Sequence, residues 1–262
     1  MENWVLTTYD DFGLSISRIQ GIDNDLIRQQ LFFSGLVSLE RTNLSCQNEK
    51  TNTLAIPQDL YTLGYRHMGS IGVREDAIYV PLENRSTGYQ DSKILQYDKN
   101  SLSEIDENQR STLPNHLLPD GCPWIAIDEF NKRLYTSQFA YVETVYVFDL
   151  ETLTHQPKED ISLGKILYNV QGSRMYEGNL YMVEEEGPIS KVNIATGQVT
   201  EVFNLRDHIT DSASMCKIEA ESLTFYEQAQ DGSTLHILVL VYLHTSWGCK
   251  FPQSRLYHFK RL

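Results

Sequence analysis

An all-β propeller of about five four-stranded blades is predicted by three features of the sequence. These are a degenerate repeat near 50 residues, turn residues between short apolar strands, and an N-terminal strand suited to completing the last blade. Five segments share a strand with a bulky central residue: 30–34, 77–81, 133–137, 179–183 and 235–239. Their central residues Phe32, Tyr79, Tyr135, Tyr181 and His236 are 47, 56, 46 and 55 positions apart. A four-stranded blade with its turns takes about 40–50 residues, so the period fits.

The elements follow in order. Trp4 to Tyr9 reads as a strand with no partner nearby. If it supplies the missing outer strand of the last repeat, which stops at residues 255–260, both ends of the chain are fastened in one blade and an open sheet edge disappears. Four blades plus an extension is the rival count. Asp25 to Gln30 suggests one helical turn. Each central strand is preceded by a short strand and a turn rich in Asp, Asn and Gly, as in Trp124 to Ile127 followed by Asp128-Glu129-Phe130-Asn131. Third strands end in an apolar residue followed by Asp or Asn, at Asp98, Asp149 and Asn193, before a tight turn. The polar stretch Ser103 to Leu118 reads as a long connection between blades. No linker interrupts the chain, and one domain spans 1–262.

Hydrophobic residues make up 41% of the chain and charged residues 22%, enough to build a real core. Fifteen Tyr and ten Phe favour strands, where rings pack on a pleated surface. The net charge of -13, from 35 acidic and 22 basic residues, repels phosphate backbones, so nucleic acid and anionic membranes are excluded as partners. It favours metal cations and cationic small molecules. No run reaches the ~18 apolar residues of a membrane span; the longest, Leu235 to Leu243, is broken by His236. The N-terminus lacks the basic-then-apolar plan of a signal peptide. The four Cys lie far apart, consistent with free thiols in the cytoplasm or with one or two disulfides in a secreted form. The expected state is a monomer.

In a propeller, the loop into each innermost strand and the loop out of each second strand open on the same face. That topology collects His67, Glu83, Gln138, Gln171, Glu219, Glu221, His244 and the Glu184–Glu186 run at one channel mouth, with Trp124 and Trp247 as flat apolar walls. His67 and His244 are candidate general bases, having an unperturbed pKa near 6.5. Gln138, Gln171, Trp124 and Trp247 are candidate substrate contacts. Glu83, Glu219 and Glu221 are candidate ligands for calcium, a hard cation that takes six to eight oxygens. No G-x-S-x-G, Gly-rich phosphate loop, H-E-x-x-H or Cys/His zinc spacing is present.

The stretch Lys217-Ile218-Glu219-Ala220-Glu221-Ser222-Leu223-Thr224-Phe225 resembles the E-A-E-G-L-T segment of the esterase-like phytase propellers, with Ser222 in place of the Gly. More loosely it is similar to the calcium-dependent propellers of the gluconolactonase and paraoxonase group. The resemblance implies an acidic residue that helps hold calcium in a central channel, a role that carries over to Glu219 and Glu221. It implies an enzyme acting on a small molecule, such as a calcium-dependent ester or lactone hydrolase. The alternative is a non-catalytic propeller that presents one face to a protein, peptide or glycan, with Phe139, Tyr141, Trp247 and Phe251 as its aromatic patch.

Overall fold

The computed structural model describes residues 2–74, 76–209, 215–245 and 248–262. Five antiparallel blades stand in a ring. The chain opens with β1 (Trp4–Gly13) and then builds blade I from β2 (Gly21–Asp25), β3 (Gln30–Ser34), β4 (Leu39–Asn43) and β5 (Asn48–Asn52). Blade II has an inner strand in two pieces, β6 (Tyr65–Met68) and β7 (Gly72–Val73), followed by β8 (Ile78–Asn84), β9 (Lys93–Tyr97) and β10 (Ser111–Thr112). Blade III contains β11 (Ala126–Asp128), β12 (Arg133–Thr136), β13 (Tyr141–Asp149) and β14 (Ile161–Tyr168). Blade IV contains β15 (Val170–Tyr176), β16 (Asn179–Glu184), β17 (Pro188–Asn193) and β18 (Val199–Asn204). Blade V contains β19 (Met215–Phe225), β20 (Leu235–Thr245) and β21 (Gly248–Arg261), with β1 as its outermost strand.

The five central residues of the repeat all lie on second strands. They face Asp23, Gly72, Ala126, Arg174 and Thr224 across the inner hairpins. Second strands bury both faces, and side chains alternate along a strand, so successive residues enter different interfaces between blades. Phe32 packs towards blade II, whereas Leu31 and Phe33 pack towards blade V. Tyr181 and Val183 likewise enter the interface with blade V, and Leu180 and Met182 the one with blade III. This explains why these strands read as continuous apolar runs.

The Asp and Asn residues that end the third strands make the expected turns. Asp98 accepts from the amides of Asn100 and Ser101, Asp149 from those of Glu151 and Thr152, and Asn193 from those of Ala195 and Thr196. Each turn ends in a residue of positive φ: Leu102, Leu153 or Gly197.

Two local expectations need correction. Residues 26–29 form the turn of the β2–β3 hairpin between the paired Asp25 and Gln30, and no helix. The stretch 103–118 contains β10, so blade II finishes with a two-residue outer strand reached by a long detour. Among the described residues the α-helix is α1 (Gln58–Thr62), between blades I and II. Pro57 precedes it and Gly64, at φ +100°, follows it, the usual N-terminal Pro and C-terminal Gly signals. Cys216 is disulfide-bonded to Cys249, and Cys46 and Cys122 are free thiols. No helix among the described residues is long and apolar enough to cross a membrane.

The inner strands meet at a narrow waist on the axis. Ser70 accepts from the Ile125 amide and donates its own to Pro123, and the Ser70 and Ser222 hydroxyls bond across the axis at 2.7 Å. A Cβ on Gly172 would lie 2.5 Å from the Ser222 Cα, and one on Gly69 would lie 2.1 Å from the Pro123 carbonyl oxygen. Only glycine allows backbones so close. The waist separates a cavity of about 380 Å³ on one face from a cavity of about 590 Å³ on the other.

Candidate functional site

The 380 Å³ cavity is the channel mouth anticipated from the sequence. It is lined by His67 and Glu83 of blade II, Gln171 and Glu185 of blade IV, and Glu219 and Glu221 of blade V. Gln20, Tyr89, Asp120, Pro123, Phe139 and Ala140 complete the wall.

His67 and Glu83 are cross-strand partners on β6 and β8. The Nδ1 atom of His67 lies 2.5 Å from the Glu83 Oε2, with Glu83 almost fully buried. A carboxylate accepts, so Nδ1 carries the proton of this bridge. Tyr89, at φ +73°, sets its ring edge-on to the imidazole at 5.9 Å. Gly121 gives Glu83 its room, since a Cβ there would lie 2.1 Å from the Glu83 Oε1. Asp120 accepts from the amides of Phe139 and Ala140 at 3.0 and 2.9 Å, tying the loop before blade III to the β12–β13 connection.

Gln171 and Glu221 reach the cavity by the same device. In β15 the pairing with β16 skips from Val170 to Gly172, and in β19 the pairing with β20 skips from Ala220 to Ser222. Each is the extra residue of a β-bulge, a feature that re-aims a side chain and is common beside active sites. Glu221 is 3% exposed, and its carboxyl has no hydrogen-bond partner among the described residues. Burial pushes its pKa well above the ordinary 4.5, reinforced by the neighbouring Glu219 and Glu185 carboxylates and opposed by Lys217. Burial therefore favours the protonated form of this carboxyl, which faces the cavity.

Glu219 accepts from the Tyr242 hydroxyl at 2.7 Å and from the Lys217 ammonium, which also reaches Glu185 at 3.1 Å. Lys217 is thus the cation among these carboxylates, and its hydrogen bond to Glu219 raises its own pKa. Glu83 is committed to His67. Among the described residues, no three His, Cys, Asp or Glu side chains are arranged to hold a metal ion. Of the proposed calcium ligands, Glu83 is engaged by His67 and Glu219 by Tyr242 and Lys217, while Glu221 has no hydrogen-bond partner among the described residues.

Other anticipated residues lie elsewhere. Trp124 is fully buried in the interface between blades III and IV, where its backbone bridges to Ser70, so it offers no surface to a substrate. Gln138 turns back to donate to the Tyr141 carbonyl at 2.5 Å, while the next residue, Phe139, lines the cavity. His244 is exposed and pairs with Cys249 near the far end of the β20–β21 hairpin. It stands four residues beyond Leu240, the partner of Glu219, or roughly 13 Å along the strand, which carries it past the mouth. Trp247 lies outside the described residues. Of the acidic run, Glu185 lines the cavity, Glu186 is exposed, and Glu184 is buried and accepts from the Tyr168 amide at 2.8 Å.

Sequence reasoning missed Gln20, Tyr89 and Asp120. Asp120 had one legible signal, an Asp-Gly turn after Pro119 shortly before an inner strand. No protein-family model matches the chain, and no curated protein sequence matches it. Among solved structures it is similar to the glutaminyl cyclase of Myxococcus xanthus, with a TM-score of 0.61 at 10% identity, over 100% of this chain and 98% of that one. It is also similar to a structural genomics protein of unknown function from Bacteroides thetaiotaomicron, with a TM-score of 0.52 at 11% identity, over 99% of this chain and 76% of that one. At these identities the likeness is one of fold, and the fold it shares is a five-bladed β-propeller.

Proposed function

We propose that the mouth is the active site of an enzyme that performs general acid–base chemistry on the acyl group of a small molecule. The observation that carries this reading is Glu221, a buried carboxyl without a hydrogen-bond partner among the described residues, opening on the same cavity as a His67–Glu83 pair. Carboxyl groups in apolar or unpaired settings are kept as proton donors at neutral pH, and imidazoles oriented by a carboxylate are proton acceptors. Two such groups in one small cavity supply both halves of an acyl transfer. His67 Nε2 takes the proton of the attacking nucleophile. Glu221 gives its proton to the leaving group, and the proton held by His67 returns it to the acid form through the cavity. The volume suits a small molecule.

The acidic surroundings favour a substrate bearing an amine, and the resemblance of residues 217–225 to ester- and phosphate-cleaving propellers adds esters and lactones. The structural neighbour named a glutaminyl cyclase adds a glutaminyl group.

The test is turnover on a panel of amino esters, lactones and glutaminyl dipeptides, with Glu221→Gln and His67→Ala beside the wild type. Loss of a positioned acid or base costs about 10²–10⁴-fold in rate, so each variant should lower kcat by at least about 100-fold while staying folded. Wild-type turnover in His67→Ala would remove the base. Binding without turnover anywhere on the panel would leave a ligand-presenting propeller instead.

A further inference from the structure

We propose that the 590 Å³ cavity on the opposite face is a second ligand site, which binds a small apolar carboxylic acid with its carboxylate on Arg174. The inner hairpin tips of blades I to IV surround this cavity. Arg174 projects into it from β15 with its side chain 19% exposed. Its Nη1 donates to Asp23, and its other guanidinium N–H groups have no hydrogen-bond partner among the described residues. Asp23 is itself fixed. It accepts from the Val73 amide at 2.6 Å, the Asn24 amide at 2.7 Å and the Thr224 hydroxyl at 3.3 Å. Strands from blades I, II and V thereby hold one edge of the guanidinium and leave its remaining donors turned to the cavity. A guanidinium presents five donors in a rigid fork that matches a carboxylate.

The other charged groups of the wall are already engaged. Asp25 is met by Lys99 at 2.6 Å and Arg28 at 2.9 Å, Asp128 by Asn131 at 2.7 Å, and Glu177 by Arg261 at 2.9 Å. Arg74 is committed to Glu151 at 2.9 Å and lies 3.4 Å from Asp76 and 4.0 Å from Glu129. Spare hydrogen-bonding capacity at the floor therefore belongs to Arg174, and what it lacks is an acceptor. The walls ask for an apolar body: Val73, Ile127 and Met175 line the cavity, and Tyr176 lies flat on Phe225 with ring centres 3.9 Å apart. At the rim Ile27 and Phe130 are 85% and 94% exposed, apolar surface that a bound ligand would cover. The closed waist makes this site separate from the mouth.

Calorimetry on the whole chain tests the assignment with phenylacetate, neutral phenylacetamide and cationic phenethylamine as probes. Phenylacetate should bind at least about tenfold more tightly than phenylacetamide, the factor expected for a charge-assisted pair, and saturating phenethylamine should not displace it. The double variant Asp23→Asn/Arg174→Met, which leaves no buried carboxylate unpaired, should lose that preference. Arg174→Lys, which keeps the charge without the fork, should weaken it, and Glu221→Gln should leave it unchanged. Equal binding of acid and amide, no heat with millimolar phenylacetate, or an unchanged preference in Arg174→Lys would each overturn the proposal. So would binding of a peptide C-terminal carboxylate when the free acids do not bind. If the double variant fails to fold, the acid–amide contrast and Arg174→Lys still decide the question.

Discussion

A carboxyl group taken out of water with no donor to meet it keeps its proton, because the charged form loses its hydration and gains nothing in exchange. Glu221 is in that position, and two nearby carboxylates push in the same direction. The consequence for stability has a definite sign. The folded protein holds a proton on Glu221 at pH values where the unfolded chain, with an ordinary value near 4.5, has released it. The group's contribution is therefore fully present below pH 4.5 and is lost as pH rises towards its folded pKa. Glu221→Gln cannot ionise and escapes that loss. The unfolding free energy of the variant relative to wild type should rise with pH above 4.5, by at most about 1.4 kcal/mol per pH unit, and its thermal midpoint with it. A difference flat with pH across calorimetric scans from acid to neutral would mean that Glu221 is ionised in the fold.

Strands place these groups, and small irregularities in strands aim them. The bulges at Gln171 and Glu221 occupy matching positions in blades IV and V, and each is followed by the residue, Gly172 or Ser222, at which the two inner strands touch. Closure is the other task carried by a strand. β1 pairs with β21 from Trp4 opposite Arg261 to Gly13 opposite Ser254. Trp4 is 2% exposed and packs edge-on to Phe225. Further along the seam, His236 Nε2 donates to the Tyr226 carbonyl, so its Nδ1 accepts from His258 Nδ1 at 2.6 Å, and His258 Nε2 lies 3.2 Å from Asp10. Burial pushes His236 down to about 3, so it stays neutral and serves as an acceptor. If β1 holds the ring shut, Trp4→Ala should cost about 3–5 kcal/mol in denaturant unfolding. A loss below about 1 kcal/mol would mean that blade V closes the ring without it.

The ring as a unit is held by apolar clusters between adjacent blades and by the waist at which inner strands meet. The waist is built from backbone, which cannot move aside as a flexible side chain can. Gly172→Ala would place a Cβ 2.5 Å from the Ser222 Cα and 2.7 Å from the Glu221 carbonyl oxygen. It should force blades IV and V apart and cost about 3 kcal/mol, the upper end for overpacking. Gly164→Ala on β14 is the matched control, since the nearest atom to its new Cβ is 3.8 Å away and its unfolding midpoint should barely move. Equal stability of the two variants would show that the waist is looser than drawn. The same closure lets one small protein carry two chemically different cavities, one acidic and one with a guanidinium at its floor.

The repeat, the hairpins and the face on which His67, Glu83, Gln171, Glu219 and Glu221 converge were all legible in the sequence. They rest on local rules: alternation along strands, Asp and Asn turns, and the fixed sense in which a blade is wound. Trp124 and His244 were misjudged because both questions depend on distant partners. Whether an inner-strand Trp meets solvent is set by how closely the neighbouring blade packs, and how far a hairpin overshoots the mouth is set by the length of its pairing. The bulge that turns Glu221 inward leaves no mark on composition, since it is a mismatch between two strands of one sheet. Lys217 reads as one more surface lysine until blade IV brings Glu185 to it, and Arg174 as an ordinary strand residue until Asp23, 151 positions away, takes one edge of it. Charge pairing across blades acts through space, and only the closed ring brings those groups within a few ångströms of each other.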